Sequence, residues 1–138
     1  MNLRITVGTL SFAGRLELER APKTCRAFLA GLPLHARLVQ ARWSGEAAWI
    51  PLGDRDFAVP SENPVSHPAP GQLLLYLGGD TETEILFPYG VSVFRNLRGQ
   101  LAGNHFLTVV EGTEQFIELG RRVWWEGAQE IVFEADET

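Results

Sequence analysis

The sequence predicts a mostly β chain closed into a barrel of about eight strands, with two short helices. Three observations carry this. Eight or more short stretches read as extended, several alternating apolar and polar residues, while helical spacing shows only twice, once early and once late. So many short strands would leave sheet edges exposed unless the sheet closes on itself. With 138 residues, 45% apolar and 21% charged, the chain is read as one domain, residues 1–138, able to bury a core without staples.

In order along the chain, Ile5 and Val7 alternate with Arg4 and Thr6, and after "GTLSFAG" Leu16 and Leu18 alternate with Arg15, Glu17 and Glu19. That is an antiparallel hairpin with one wet face. In "APKTCRAFLAGLP", Pro22 sits where a first helical turn accepts it, and Cys25, Phe28, Leu29 and Leu32 recur at helical spacing until Gly31 and Pro33 end the helix. Leu34 to Leu52 is extended, with Ser44-Gly45 as a turn between two strands. Asp54 to Gln72 holds Pro60, Pro64, Pro68 and Pro70 and reads as a long loop, a kind that in compact domains is usually functional or disordered.

"QLLLYL" is apolar on both faces and so reads as a central strand covered on both sides. "GGD" turns into "TEILFPYG" and "VSVFRNL", and "RGQLAGNHFLTVVEG" is a strand pair or a bulged strand. "TEQFIELGRRVWWEG" places Phe116, Leu119, Val123 and Trp124 near helical spacing, with Thr113 as its N-cap. "AQEIVFEA" closes the chain as a strand.

Composition removes several function classes. Acidic side chains outnumber basic ones, 17 to 12, for a net charge of -5, and no basic cluster exists beyond Arg121–Arg122, so no nucleic-acid partner is expected. The longest apolar run, Leu73 to Leu77, is too short to span a bilayer, and the N-terminus lacks a signal-peptide pattern. Cys25 is the sole cysteine, which removes an intramolecular disulfide. The expectation is a cytoplasmic protein with no membrane partner. His35, His67 and His105 are widely spaced with no paired ligand spacing, so no metal is expected, and no phosphate loop or dinucleotide fingerprint calls for a cofactor.

The polar chemistry concentrates in "ARWSGEAAWIPLGD", Ala41 to Asp54. Trp49, beside Ile50, reads as core, whereas Trp43 is evenly placed between core and ligand wall. Arg42 and Glu46 flank the turn and read by default as a surface pair; the sharper alternative is that Arg42 offers its planar fork to a carboxylate. Tyr76 needs a hydrogen-bond partner if buried, and Glu84 close to Tyr76 or Asn104 would form a polar cluster at a barrel mouth. "GNHF" is a bulge or bend first, and a titrating site at His105 second.

"APKTCRAFLAGLP", after such a hairpin, resembles the first helix of cyclophilins, and "PLGD" resembles the cyclophilin strand ending in Gly-Asp. Over most of the chain, "ARWSGEAAWIPLGD", "PGQLLLYLGG", "EILFPYG", "LAGNHF" and "WWEGAQEIVF" resemble a family of small bacterial proteins of unknown function with a cyclophilin-like barrel. The resemblance implies a closed cyclophilin-like β-barrel. Cyclophilin prolyl isomerases carry an Arg, a Phe and a Gln ahead of the Gly-Asp; counted back from Asp54, those places hold Trp43, Ala48 and Pro51. Arg42 is one residue away, and a one-residue shift in a strand turns a side chain to the other face.

The expectation is therefore a pocket at the barrel mouth for a small organic molecule or short peptide, lined by Arg42, Trp43, Glu46, Tyr76, Glu84, Tyr89, Asn104 and His105. Two alternatives stand beside it. One is an enzyme, either a weak prolyl isomerase or a hydrolase using Glu84 or His105 as base. The other is a homo-oligomeric assembly module, because Val123, Trp124 and Trp125 cannot all face one core from one helix.

Overall fold

A computed structural model describes residues 1–136. The first hairpin is β1 (Asn2–Val7) and β2 (Leu10–Leu16), followed by helix α1 (Pro22–Ala30), β3 (Leu34–Gln40) and β4 (Gly45–Pro51). A short β5 (Pro64–Val65) lies within the proline-rich loop, ahead of β6 (Gln72–Tyr76) and β7 (Glu84–Ser92). The small hairpin β8 (Arg95–Asn96) and β9 (Gly99–Gln100) precedes β10 (Gly103–Glu111), helix α2 (Phe116–Trp125) and β11 (Gln129–Ala135).

The sheet runs β2-β1-β11-β3-β4-β7-β6-β10, and β10 pairs back onto β2. Eight antiparallel strands thus close a barrel and remove their own edges. The core follows from period-2 alternation: Leu3, Ile5 and Val7 on β1 are fully buried while Asn2 and Arg4 are exposed. Inside, Phe12 meets Phe87 edge-on at 6.0 Å, Phe28 meets Phe133 at 5.3 Å, and Phe87 meets Phe116 at 5.9 Å. Phenylalanines fill the lumen, and both helices add residues to the same inner core. The eight residues expected to line one barrel-mouth pocket lie in three separate places, described below.

The helices sit toward opposite ends. Gly120 of α2 packs on the Tyr89 ring late in β7, whereas Gly31, just after α1, packs on Arg55 beyond the end of β4. Pro22 does open α1. The cap it needs comes from elsewhere: the Glu62 carboxylate accepts from the Thr24 N–H at 2.5 Å and the Thr24 hydroxyl at 2.7 Å. The proline-rich loop is pinned at the same place, since Asn63 exchanges two hydrogen bonds with the His105 backbone.

Two local expectations are corrected. Thr113 is no N-cap; it opens a 3-10 turn, Thr113–Gln115, after Gly112 has already turned the chain with φ 93°, and no side chain caps that turn. Trp124 is partly exposed although Phe116, Leu119 and Val123 are buried, because it lies one residue, about 100° of helix, beyond Val123. The Ser44-Gly45 turn holds and requires its glycine: φ is 108°, and a β-carbon there would come 2.7 Å from the Val91 carbonyl oxygen. Among the described residues no helix is long and apolar enough to cross a membrane.

Candidate functional site

Strands β4, β7 and β6 are adjacent, and alternation sends Ala48, Ile50, Phe87, Leu73 and Leu75 inward. The opposite face is apolar as well. Cross-strand register sets Trp49 beside Leu86 and Leu86 beside Leu74, and in the next row Pro51 beside Glu84 and Glu84 beside Tyr76. Ala41, Ala47, Leu74, Leu86 and Phe94 form a second core on this outer face, with Trp43, Trp49 and Tyr76 packed against it. Trp43 and Trp49 meet edge-on at 5.8 Å, and Tyr76 meets Phe94 at 5.9 Å.

The β8–β9 hairpin stands over this face. Ser44 donates its hydroxyl to the Arg95 carbonyl at 3.1 Å. Asp80 holds the far side, accepting from Asn96 Nδ2 at 2.9 Å and Arg98 Nη1 at 2.6 Å. Between hairpin and sheet lies a cavity of about 500 Å³, lined by Trp43, Trp49, Thr81, Glu82, Glu84, Asn96, Leu97 and Arg98. That is the size of a small-molecule site.

Glu84 gives the cavity its chemistry. The residue is 5% exposed, and among the described residues its carboxyl has no hydrogen-bond partner. Burial, and secondarily the charge of Glu82, pushes its pKa up to about 7. On the same wall the Trp49 indole N–H is buried without an acceptor among the described residues, an arrangement that costs about 1–3 kcal/mol.

The expected site residues divide among three places. Trp43 and Glu84 line the cavity, while Tyr76, the register partner of Glu84, stands outside its lining and accepts from the Asp80 N–H through its hydroxyl at 3.2 Å. Arg42, Glu46 and Tyr89 line a separate groove of about 740 Å³ against α2. Arg42 and Glu46 do not pair there: the Arg42 guanidinium lies 4.8 Å over the Trp124 ring, and Glu46 accepts from the Val91 N–H at 2.9 Å. Tyr89 donates to Gln40 Oε1 at 2.6 Å.

Asn104 and His105 are elsewhere. Asn104 is buried, donates to Thr24 Oγ1 and the Pro60 carbonyl, and accepts from the Glu62 N–H, so its hydrogen-bonding capacity is spent on the loop. The register slips between His105 and Leu107, so "GNHF" leads into a bulge. Thr108 donates its hydroxyl to Glu17 at 2.7 Å, which leaves the oxygen to accept Nε2–H of His105 at 2.8 Å. Burial lowers the His105 pKa against the pull of Glu17.

Sequence reasoning missed Thr81, Glu82, Asn96, Leu97 and Arg98, all from the turn after β6 or the β8–β9 hairpin, and it placed Trp49 in the core. Among the described residues no group of three or more His, Cys, Asp or Glu is placed to hold a metal ion.

Residues 3–135 match a family described as a protein of unknown function, DUF3830. The chain belongs to that family. No curated protein matches. Among solved structures, this DUF3830 chain is similar to McbB in complex with tryptophan, with a TM-score of 0.77 and 19% identity, over 99% of this chain and 45% of McbB. The chain thus spans less than half of that neighbour. It is also similar to a hypothetical protein of Archaeoglobus fulgidus, with a TM-score of 0.62 and 19% identity over 99% of this chain and 95% of the other. A cyclophilin-type peptidyl-prolyl cis-trans isomerase of Cryptosporidium parvum, solved with the dipeptide Ala-Pro, matches with a TM-score of 0.64 and 14% identity over the full length of both. The cyclophilin-like barrel is therefore the fold of this DUF3830 chain. Of the three places aligned to the isomerase pattern, Ala48 joins the inner core and Trp43 the outer face, while Pro51 follows Trp49 on the outer side.

Proposed function

We propose that the chain binds a small aromatic amine, or another planar molecule carrying a donating nitrogen, in the outer-face cavity. The observation that carries this is Glu84: a residue 5% exposed whose carboxyl has no partner among the described residues, lining a cavity walled by Trp43 and Trp49. A buried carboxylate without a donor is unfavourable, and a ligand N–H or ammonium restores what burial removed. The indole walls offer flat apolar area and negatively polarised faces that attract a cation. A cavity of about 500 Å³ suits a small molecule better than a peptide strand. McbB, of which 45% matches this chain, was solved in complex with tryptophan, and this guides the choice of probes.

The test is calorimetric titration of the protein with tryptamine, tryptophan and indole in buffers of different ionisation enthalpy. Tryptamine should bind more tightly than indole. Its heat should depend on the buffer at pH 7, because a bound cation drives the proton off Glu84. Glu84→Gln should abolish both the buffer dependence and the preference for the amine. Absence of binding by all three probes at millimolar concentration, or equal affinity for tryptamine and indole, would sink the proposal.

A further inference from the structure

We infer that the face built by α2 and the adjoining end of β4 and β7 docks a second copy of this chain through a closed two-fold contact. The face is separate from the Glu84 cavity. Trp125 is 76% exposed, Ile117 87% and Val91 82%. Ile117 and Trp125 share one groove, whose wall also includes Gly90 next to Val91, and large apolar side chains at that exposure mark a surface made to be covered. α2 cannot cover them itself, because its buried stripe is spent on Phe116, Leu119 and Val123.

Shape favours a copy of the same surface. The groove of about 740 Å³ between α2 and β4–β7 is walled on its α2 side by Ile117 and Trp125, whose exposure leaves that wall standing as a ridge. A two-fold axis sets each ridge into the other copy's groove, which is how an isologous interface is self-complementary. The anchor is preorganised: Trp124 is held by the Arg42 guanidinium at 4.8 Å and meets Trp125 edge-on at 6.4 Å. Rigid aromatic anchors at the centre of an interface carry most of its binding energy.

Charge points the same way. The whole chain carries -5, so two copies repel over most of their surfaces. This face is balanced. Arg121 is shared between Glu118 at 2.6 Å and Glu126 at 2.8 Å. Arg42 has no carboxylate partner among the described residues, and Glu46 uses Oε1 for the Val91 N–H, leaving Oε2 for another donor. A cation and an anion left over on one face satisfy each other twice across a two-fold axis, whereas an unrelated acidic or basic partner satisfies only one of them.

Sedimentation equilibrium on the full chain tests this, from micromolar to millimolar protein. A dimer is expected. Trp125→Glu and Ile117→Glu should each weaken it by about thirtyfold or more, the loss typical of a central anchor, with an unchanged circular-dichroism spectrum. If Trp125→Glu fails to fold, the exposed Ile117→Glu decides alone. A monomer throughout the range overturns the inference, and so does a dimer indifferent to the substitutions. Open-ended association overturns it as well, because a closed two-fold contact stops at two copies.

Discussion

The two faces of the β4–β7–β6 wall are built from the same kinds of residue and do different work. Inward, Phe87, Ile50, Leu73 and Leu75 meet the rest of the barrel and leave no ionisable group among them. Outward, Leu86, Leu74 and Ala47 begin a second, smaller core, but it is finished by a small hairpin, two tryptophans and a carboxylic acid. The lesson is that an apolar face keeps a cavity when the layer covering it is too small to fill the space. The barrel closes over its inner face with eight strands; the outer face gets β8 and β9, each two residues long.

Adjacent residues on β7 measure that difference. Phe87 is fully buried among Phe12 and Phe116, and Leu86 is fully buried on the outer side. Phe87→Ala should cost about 4 kcal/mol of unfolding free energy, because a dense lumen cannot collapse around the hole. Leu86→Ala should cost about 2 kcal/mol, the low end for such a truncation, since its surroundings already border open space and can shift. Urea denaturation of both variants checks this; equal costs would mean that the outer core is as rigid as the inner.

The second prediction concerns the acid. Glu84 has a folded-state pKa near 7, raised above the ordinary 4.5 by burial and then by Glu82. A raised acid holds its proton more tightly in the folded state, so stability is greatest below pH 4.5 and falls as the pH rises through 7. The contribution lost across that window is about 3 kcal/mol. Glu84→Gln should remove this slope, leaving the variant more stable than the parent at pH 8 relative to pH 4.5. Chemical denaturation at the two pH values, with identical slopes in parent and variant, would place the carboxyl in water and end its claim on the site.

Much of this wall was legible in the sequence. "QLLLYL" reads as a strand covered on both faces, and Leu73 and Leu75 do face in while Leu74 faces out. The closed barrel and both helices follow from periodicity, because strands and helices repeat at fixed spacing. The site was harder. Apart from Glu84, its polar members are Thr81, Glu82, Asn96 and Arg98, in turns whose course is set by long-range bonds such as Asp80 with Arg98 and Ser44 with Arg95. No local spacing encodes those. Arg42 and Trp43 show the limit most clearly: neighbours in sequence, they serve the α2 groove and the Glu84 cavity respectively. A turn sends successive side chains to different surfaces, so proximity in sequence suggested one pocket where there are two. Asn104 was misplaced for another reason: its partners Thr24, Pro60 and Glu62 lie more than forty residues away, and only the fold reveals that they use up its amide.

The smallest expected effect tests the covering layer itself. Asp80 joins the turn after β6 to the β8–β9 hairpin through Asn96 and Arg98, with side-chain exposures of 40% for Asp80 and 78% for Arg98. An ion pair so exposed contributes about 0–1 kcal/mol, so Asp80→Ala should leave the unfolding free energy almost unchanged. The same substitution removes what holds one cavity wall in place. Tryptamine should then bind less tightly and dissociate faster, because a loosened wall pays ordering entropy at each binding event. Stopped-flow tryptophan fluorescence separates the two quantities. A variant with unaltered stability and an unaltered dissociation rate would show that Asp80 anchors nothing the ligand feels. A variant that loses several kcal/mol would show that the hairpin belongs to the fold as firmly as the barrel strands do, erasing the difference between the two faces.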